Sequence, residues 1–443
     1  MNMFAYYLDL AIRSLKRNRL LTVLMVLAIA IGIGASMTTL TVMHLLSGDP
    51  LPGKSAQLFY AQVNGNPTPD YKHAEPPDMM DYRSAMDLWE AHRADRQTLV
   101  TVPKALKVRT PDSTRPPLME QTLFATSDFF PMFDVPFEYG NAWTASDDAN
   151  RARIVVISSD LNNKLFGGKD SVGKTLHVRD ANLRIVGVLK DWRPSPVFYD
   201  VRGGRFANGD TASYYDKTEA LFVPFNTGLD INHGNFWWFN CWHVPKPGES
   251  MVSAPCNWLG LWVELDSPAK VASYRAFLDH YAQQQHTLGR VRYTETRLRS
   301  LMDWLRFNQF VPSDVKLQTW LAFAFLAICL FNTVGLLLAK FLRRAGEIGV
   351  RRALGASRRA VFAQCLTEAG VIGLLGGIGG WLLTLFGLWV VRQQPAPYAP
   401  MVHLDVSMFV VTFVLAIAVS LVAGALPALR ASRIAPALQL KTL

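Results

Sequence analysis

Four long apolar stretches, over residues 20–46, 317–339, 369–391 and 406–429, are distributed as one near the N-terminus and three near the C-terminus. Each is close to the ~20 residues needed to cross ~30 Å of hydrocarbon as a helix. A soluble fold would have to bury four helices of unusual length and apolarity. The chain therefore reads as a membrane protein holding a large, mostly polar insertion, residues 47–316, on one face of a bilayer. Basic residues precede the first stretch, as in a secretory signal. Its apolar core is much longer than the usual ~7–15 residues of such signals, and Gly48-Asp49-Pro50 does not resemble a small-x-small cleavage site, so it reads as a retained anchor.

Charge sets the expected orientation. Residues 1–19 carry Arg13, Lys16, Arg17 and Arg19 against Asp9, and residues 340–360 carry seven Lys and Arg against Glu347. The tail adds Arg430, Arg433 and Lys441 with no acid. These segments hold 14 basic and 2 acidic residues, while the whole chain is only +10, so the remainder is slightly negative. Basic residues resist translocation, which places both termini and the 340–360 connection in the cytoplasm and the insertion outside. The basic excess is thus a topology signal, and nucleic acid is not an expected partner.

The predicted organisation is an α+β membrane protein with nine segments. Residues 1–19 form a cytoplasmic amphipathic helix and 20–46 the first span. The external domain, 47–316, is expected to have two subdomains and a stalk. The second span, 317–339, leads to a cytoplasmic helix region at 340–360, and the third span with its lead-in occupies 361–391. An external loop at 392–405, the fourth span at 406–429 and a cytoplasmic tail at 430–443 follow. Within the insertion, alternation and turn residues predict strands over 56–62, 100–108, 153–158, 176–178, 183–189, 221–224 and 259–266. Helices are expected over 77–92, 127–133, 160–166 and 268–284, and a polar loop over 203–217.

An aromatic block, Phe236-Trp237-Trp238-Phe239 with Trp242, is followed by Trp258 and Trp262. Such residues fill a core or form a substrate or partner surface, so Trp237, Trp238 and Trp242 are candidate contact residues. Cys241 and Cys256 both fall in the insertion and are a candidate disulfide, because an external compartment permits oxidation. With His233 and His243 they offer four zinc ligands, but the spacing matches no compact metal motif. In the third span Gly373 and Gly377, and Gly376 and Gly380, form two i,i+4 pairs that allow close helix approach within one subunit or between two. The Walker A pattern, the Ser-centred nucleophile elbow and His-Glu-x-x-His are absent from these 443 residues. No catalytic, cofactor-binding or metal site is therefore predicted, and the chain is not expected to be an enzyme itself.

Between the second and third spans, Glu347 and Arg351 stand four apart and share a helical face in the favourable acid-before-base order. Ile348, Val350 and Leu354 are expected to give this helix a short apolar side. Gly355-Ala356-Ser357 would end it and cap the next, with Ser357 as N-cap. The segment reads either as an interfacial helix held by charge or as a rigid element docked into another protein.

Three regions resemble the MacB/FtsX-like ABC transporter permeases, also called type VII or mechanotransmission transporters. They are residues 11–19 ahead of the first span, the hinge Glu347-Ile348-Gly349-Val350-Arg351-Arg352-Ala353-Leu354-Gly355-Ala356, and the closing stretch 424–436. The insertion is similar to the MacB-type periplasmic core, most visibly at 129–133, 154–158, 165–167, 172–176 and 185–188, and least over 200–260. The resemblance implies a bacterial inner-membrane permease with a periplasmic domain. It further implies a pair of identical or homologous permeases working with two copies of a separate ABC ATPase, which would hold ATP and magnesium. Glu347, Ile348, Val350, Arg351, Arg352 and Leu354 would make the ATPase-coupling helix. Nucleotide-driven closure would then move the periplasmic domains to export a peptide, drug-like compound, siderophore or lipid-linked substrate, with a periplasmic adaptor and outer-membrane duct as further candidate partners alongside membrane lipid. Activation of a cell-wall hydrolase and lipoprotein extraction are the alternatives.

Overall fold

The computed structural model describes residues 3–68, 75–111, 116–200, 212–246, 249–403 and 406–433. Most of the loop expected over 203–217 and the last three residues of the closing stretch, 434–436, lie outside the described residues. Two compact units are formed, one by Met1–Ser47 with Val311–Leu443 and one by Gly48–Phe310.

The first unit is helical. It begins with α1 (Met3–Arg17) and α2 (Arg19–Ser47). In α1, Ala11 and Ser14 are buried while Asp9, Arg13 and Lys16 face outward, the three-to-four spacing of an amphipathic helix.

The second unit opens with β1 (Leu58–Val63), β2 (Met80–Asp81), α3 (Tyr82–Glu90), β3 (Arg96–Thr101) and β4 (Leu106–Arg109). There follow β5 (Leu118–Glu120), β6 (Thr122–Ala125), α4 (Phe129–Met132), β7 (Phe137–Gly140), α5 (Ala145–Ala149), β8 (Ile154–Ile157) and α6 (Ser159–Phe166). Next come β9 (Thr175–Val178), β10 (Ala181–Leu189), β11 (Leu221–Pro224), α7 (Phe225–Asn232) and β12 (Asn240–Cys241). The unit ends with β13 (Cys256–Glu264), α8 (Pro268–Thr287), β14 (Thr296–Ser300) and α9 (Leu301–Phe307).

One sheet runs in the order β14-β1-β13-β3-β6-β11-β8-β10-β9-β4-β5, with β2 and β12 on β13 and β7 on β10. The pairs β6–β11 and β8–β10 are parallel and the others antiparallel. Side chains alternate between two buried clusters. Phe59, Leu99, Phe124, Val155, Leu221 and Leu261 belong to one, and Tyr60, Val100, Leu123, Val156, Phe222 and Trp262 to the other. Burial on both faces explains why β8 and β11 are unbroken apolar runs and why β6 is apolar after Thr122. The central strands of this sheet carry both clusters.

Local chemistry shifts several predicted boundaries. Helix α3 starts at Tyr82 and not at residue 77, because the Asp81 carboxylate caps it by accepting from the Ser84 N–H at 3.0 Å, while Met80–Asp81 pairs with β13. The single strand expected over 100–108 is two, β3 and β4, divided at Pro103, which has no N–H to continue a ladder. Helix α6 follows its signals closely, with Ser158 accepting from the Leu161 N–H and Gly167 closing it at φ +67°. Between α5 and its neighbours, buried Asp148 accepts from the Ser127 N–H at 2.9 Å and the Phe225 N–H at 3.0 Å. Burial outweighs these bonds and pushes its pKa up to about 7.

The chain returns to the helical unit through α10 (Ser313–Arg343), α11 (Ala345–Ala353), α12 (Arg358–Arg392) and α13 (Val406–Ser432). Helices α2, α10, α12 and α13 are long and apolar enough to cross a membrane. At 29 and 31 residues, α2 and α10 run about 44 and 47 Å, more than the hydrocarbon core requires. Both glycine pairs of α12 are used inside this chain. Gly377 meets Ala416 on α13, and Gly373 meets Ser420 one turn away, while Gly376 and Gly380 admit Ile29 and Ile33 of α2.

Candidate coupling site and relatives

Helix α11 is bounded by local stops. Arg344 ends α10 and begins α11, Gly355 takes φ +101° beyond its end, and the Ser357 hydroxyl accepts from the Ala360 N–H at 3.2 Å to start α12. Ala345 and Gly349 are buried, and Ile348 packs on the helical core. Val350 is 41% and Leu354 83% exposed. The expected single apolar side is therefore split: positions 348 and 350 lie about 200° apart around a helix, so one turns inward and the other outward.

A network of charge fastens this helix from within. Glu347 accepts from Arg344 Nε at 3.2 Å and Nη2 at 3.1 Å, and pairs with Arg351 at 3.0 Å and with Arg17 at 3.7 Å. These partners hold its carboxyl below the usual range, the hydrogen bonds from Arg344 contributing most, then the charges of Arg344, Arg351 and Arg17, against partial burial. Arg351 also reaches Gln364 on α12 at 3.2 Å.

Deeper in the bundle, Glu368 of α12 is 3% exposed and lies 2.5 Å from the Lys340 ammonium, itself fully buried. This contact is an ion pair whose angles do not meet hydrogen-bond geometry. Arg344 Nη1 donates to Glu368 at 3.2 Å and to Ser14 Oγ at 2.8 Å, and the Ser14 hydroxyl donates to Glu368. Residues from α1, the end of α10, the start of α11 and α12 thereby share one network. Removing one partner from a buried ion pair costs about 3–5 kcal/mol, because the other charge is left uncompensated. In the sequence Lys340 is one of the seven bases of the 340–360 segment, and nothing there pairs it with Glu368. The available signal was an acid at the start of an otherwise apolar stretch.

The remaining predicted site residues fall elsewhere. Cys241 and Cys256 stand opposite each other on β12 and β13 and form a disulfide. Among the described residues no group of three or more His, Cys, Asp and Glu is placed to hold a metal ion. The aromatic block divides: Phe236, Trp258 and Trp262 are buried, Trp237 and Trp238 are exposed, and Trp242 is half-buried. The Trp237 N–H donates to Val102 and Phe236 bridges to Pro103, which fixes the exposed rings beside the end of β3. Arg352 is half-buried on α11.

Four spans, a mixed α/β domain between the first and second, and a short helix charge-locked between the second and third define a multi-pass membrane protein. Residues 22–280 match the MacB-like periplasmic core domain, and residues 320–436 match the FtsX-like permease C-terminal region. The chain belongs to the MacB/FtsX-like ABC transporter permease family. Among curated relatives, the macrolide export ATP-binding/permease protein MacB of Marinobacter nauticus is 23% identical over 317 residues, covering 70% of this chain and 42% of the relative. The ABC transporter permease YvrN of Bacillus subtilis is 23% identical, covering 70% of this chain and 67% of its own length. The pyoverdine export ATP-binding/permease protein PvdT of Pseudomonas entomophila is 24% identical, covering 70% and 41%. The chain thus spans less than half the length of the Marinobacter nauticus MacB and the Pseudomonas entomophila PvdT. Among solved structures, the periplasmic region of MacB from Actinobacillus actinomycetemcomitans aligns over 59% of this chain and 96% of its own, at 12% identity and a TM-score of 0.36.

Proposed function

We propose that this protein is the permease subunit of an ATP-driven exporter, in which a separate ABC ATPase docks on α11 and its closure is passed through the spans to the periplasmic domain. The observation that carries this reading is α11 itself. Glu347, Arg344 and Arg351 tie it to its neighbours, while Val350 and Leu354 stand exposed on the side away from buried Ala345 and Gly349. A rigid short helix with an exposed apolar side suits a cleft on a partner. Both ends of the chain are on the same cytoplasmic side as α11, and the domain of Gly48–Phe310 is periplasmic. ATP and magnesium belong to the ATPase, and the charge-locked helix has no chemical step of its own. Two such permeases work together. The export names of the MacB and PvdT relatives support export over hydrolase activation or lipoprotein extraction.

The test is to purify the native complex, identify its subunits and measure ATP turnover and export. Glu347→Ala with Arg351→Ala is expected to leave membrane insertion intact and to reduce complex assembly or ATPase-driven export. Val350→Asp with Leu354→Asp is expected to lower ATPase binding without disturbing the inner network. Full coupled transport by both double variants, or robust ATP hydrolysis by the permease alone, would contradict the reading. A co-purifying cell-wall hydrolase or lipoprotein carrier would replace export with the corresponding alternative.

A further inference from the structure

We propose that Glu368 is the positioning residue of the coupling helix, and that it locks α1 and α11 together so that they answer the partner as one body. This inference rests on the docking role proposed for α11. Four observations converge on it. Glu368 sits inside the bundle on α12, yet both its carboxylate oxygens are engaged from other elements: Oε1 by Lys340 at 2.5 Å and by Ser14, and Oε2 by Arg344 at 3.2 Å. Arg344 is the residue at which α10 turns into α11, so whatever orients its guanidinium orients the first turn of α11. The same guanidinium forms two bonds to Glu347, which carries the lock one turn further along α11. Ser14 is a buried position of α1, and Arg17 on the next turn of α1 reaches Glu347 at 3.7 Å. Glu368 and Glu347 therefore act as two anionic posts around which α1, α10 and α11 are clamped to α12.

A clamp of this kind differs from ordinary packing in what it resists. Apolar contacts tolerate a sliding helix, because one buried methyl replaces another. A buried carboxylate cannot exchange its three partners for solvent without leaving charges unpaired. Pressure on α11 is therefore delivered to α12 and α1 at once, and α1 is part of the transmission.

The experiment uses the full chain in lipid nanodiscs and needs no ATPase. Spin labels are placed at the exposed positions 12 on α1 and 353 on α11 through Ile12→Cys and Ala353→Cys, with buried Cys329 and Cys365 replaced by alanine. The parent is expected to give one narrow interlabel distance distribution. Glu368→Gln is expected to broaden or split it. Lys340→Met with Glu368→Gln removes both charges and is expected to recover the thermal midpoint of the parent while the distribution stays broad, since Arg344 still lacks its post. A narrow parental distribution in that double variant would show that Glu368 serves folding alone and would overturn the proposal. If the charge variants fail to insert, Ser14→Ala removes only the hydroxyl that joins α1 to the clamp, and it too is expected to broaden the distribution. An unchanged width there overturns the lock between α1 and α11. Failure of ATPase docking would leave these distances untouched, so the two readings fail separately.

Discussion

Gly377 of α12 and Ala416 of α13 approach so closely that a Cβ added to the glycine would lie 2.7 Å from the alanine Cβ. Neither methyl can rotate away, so the contact is a direct measure of how tightly the spans pack. Gly377→Ala is expected to destabilise the helical unit by about 1–3 kcal/mol, the usual cost of overpacking. Gly370→Ala on the same helix meets nothing within 4 Å and is the control. Thermal unfolding in one detergent should show a lowered midpoint for the first and no lowering for the second. Equal midpoints would mean that α13 shifts freely.

The disulfide between Cys241 and Cys256 closes a loop with a sequence separation of 15. Closing a loop of that size stabilises by about 3 kcal/mol in the chain-entropy account. Reductant should therefore lower the unfolding midpoint of the wild type, and Cys241→Ala with Cys256→Ala should reproduce that lower midpoint and abolish the response. A non-reducing peptide map should contain the linked pair. Two separately alkylated peptides from native protein would reject the bridge.

Asp148 gives the inserted domain a pH signature. Its pKa is raised from 3.8 to about 7, first by burial, so between these values the folded state binds a proton that the unfolded chain does not. The stability contributed by this group is full below about 4 and is lost as pH rises through about 7. Comparing unfolding of the wild type and Asp148→Asn across this window should show a falling contribution with rising pH that the substitution removes. The same slope in both proteins would assign it to another group.

The proposed orientation separates two exposed positions, Ser146 on α5 and Arg359 on α12. Ser146→Cys should react with a membrane-impermeant maleimide in cells whose outer membrane has been permeabilised. Arg359→Cys should react only after the inner membrane is opened. The native thiols do not interfere, because Cys329 and Cys365 are buried and the other two are bridged. Equal reaction of both variants in cells with an intact inner membrane would reverse the assignment.

The amino-acid sequence by itself determined what depends on neighbours in the chain. The four spans were legible because apolarity sustained over a bilayer's width is a local property, and the stop at Gly355 and cap at Ser357 because turn chemistry acts within a few residues. Many inserted elements were legible for the same reason, β11 and α6 among them. Only the tertiary structure decided which tryptophans are core: Trp262 lies on β13 between β1 and β3, whereas Trp237 and Trp238 sit on a connecting segment at the surface. It also decided that the α12 glycines serve contacts within this chain, since small residues permit approach without naming a partner. Above all it decided the charge network. Ser14 and Glu368 are 354 positions apart, and no periodicity links them. Lys340 reads as a cytoplasmic base until α12 brings a carboxylate against it, because a charge is paired by whatever folding places within a few ångströms, and sequence distance carries no record of that.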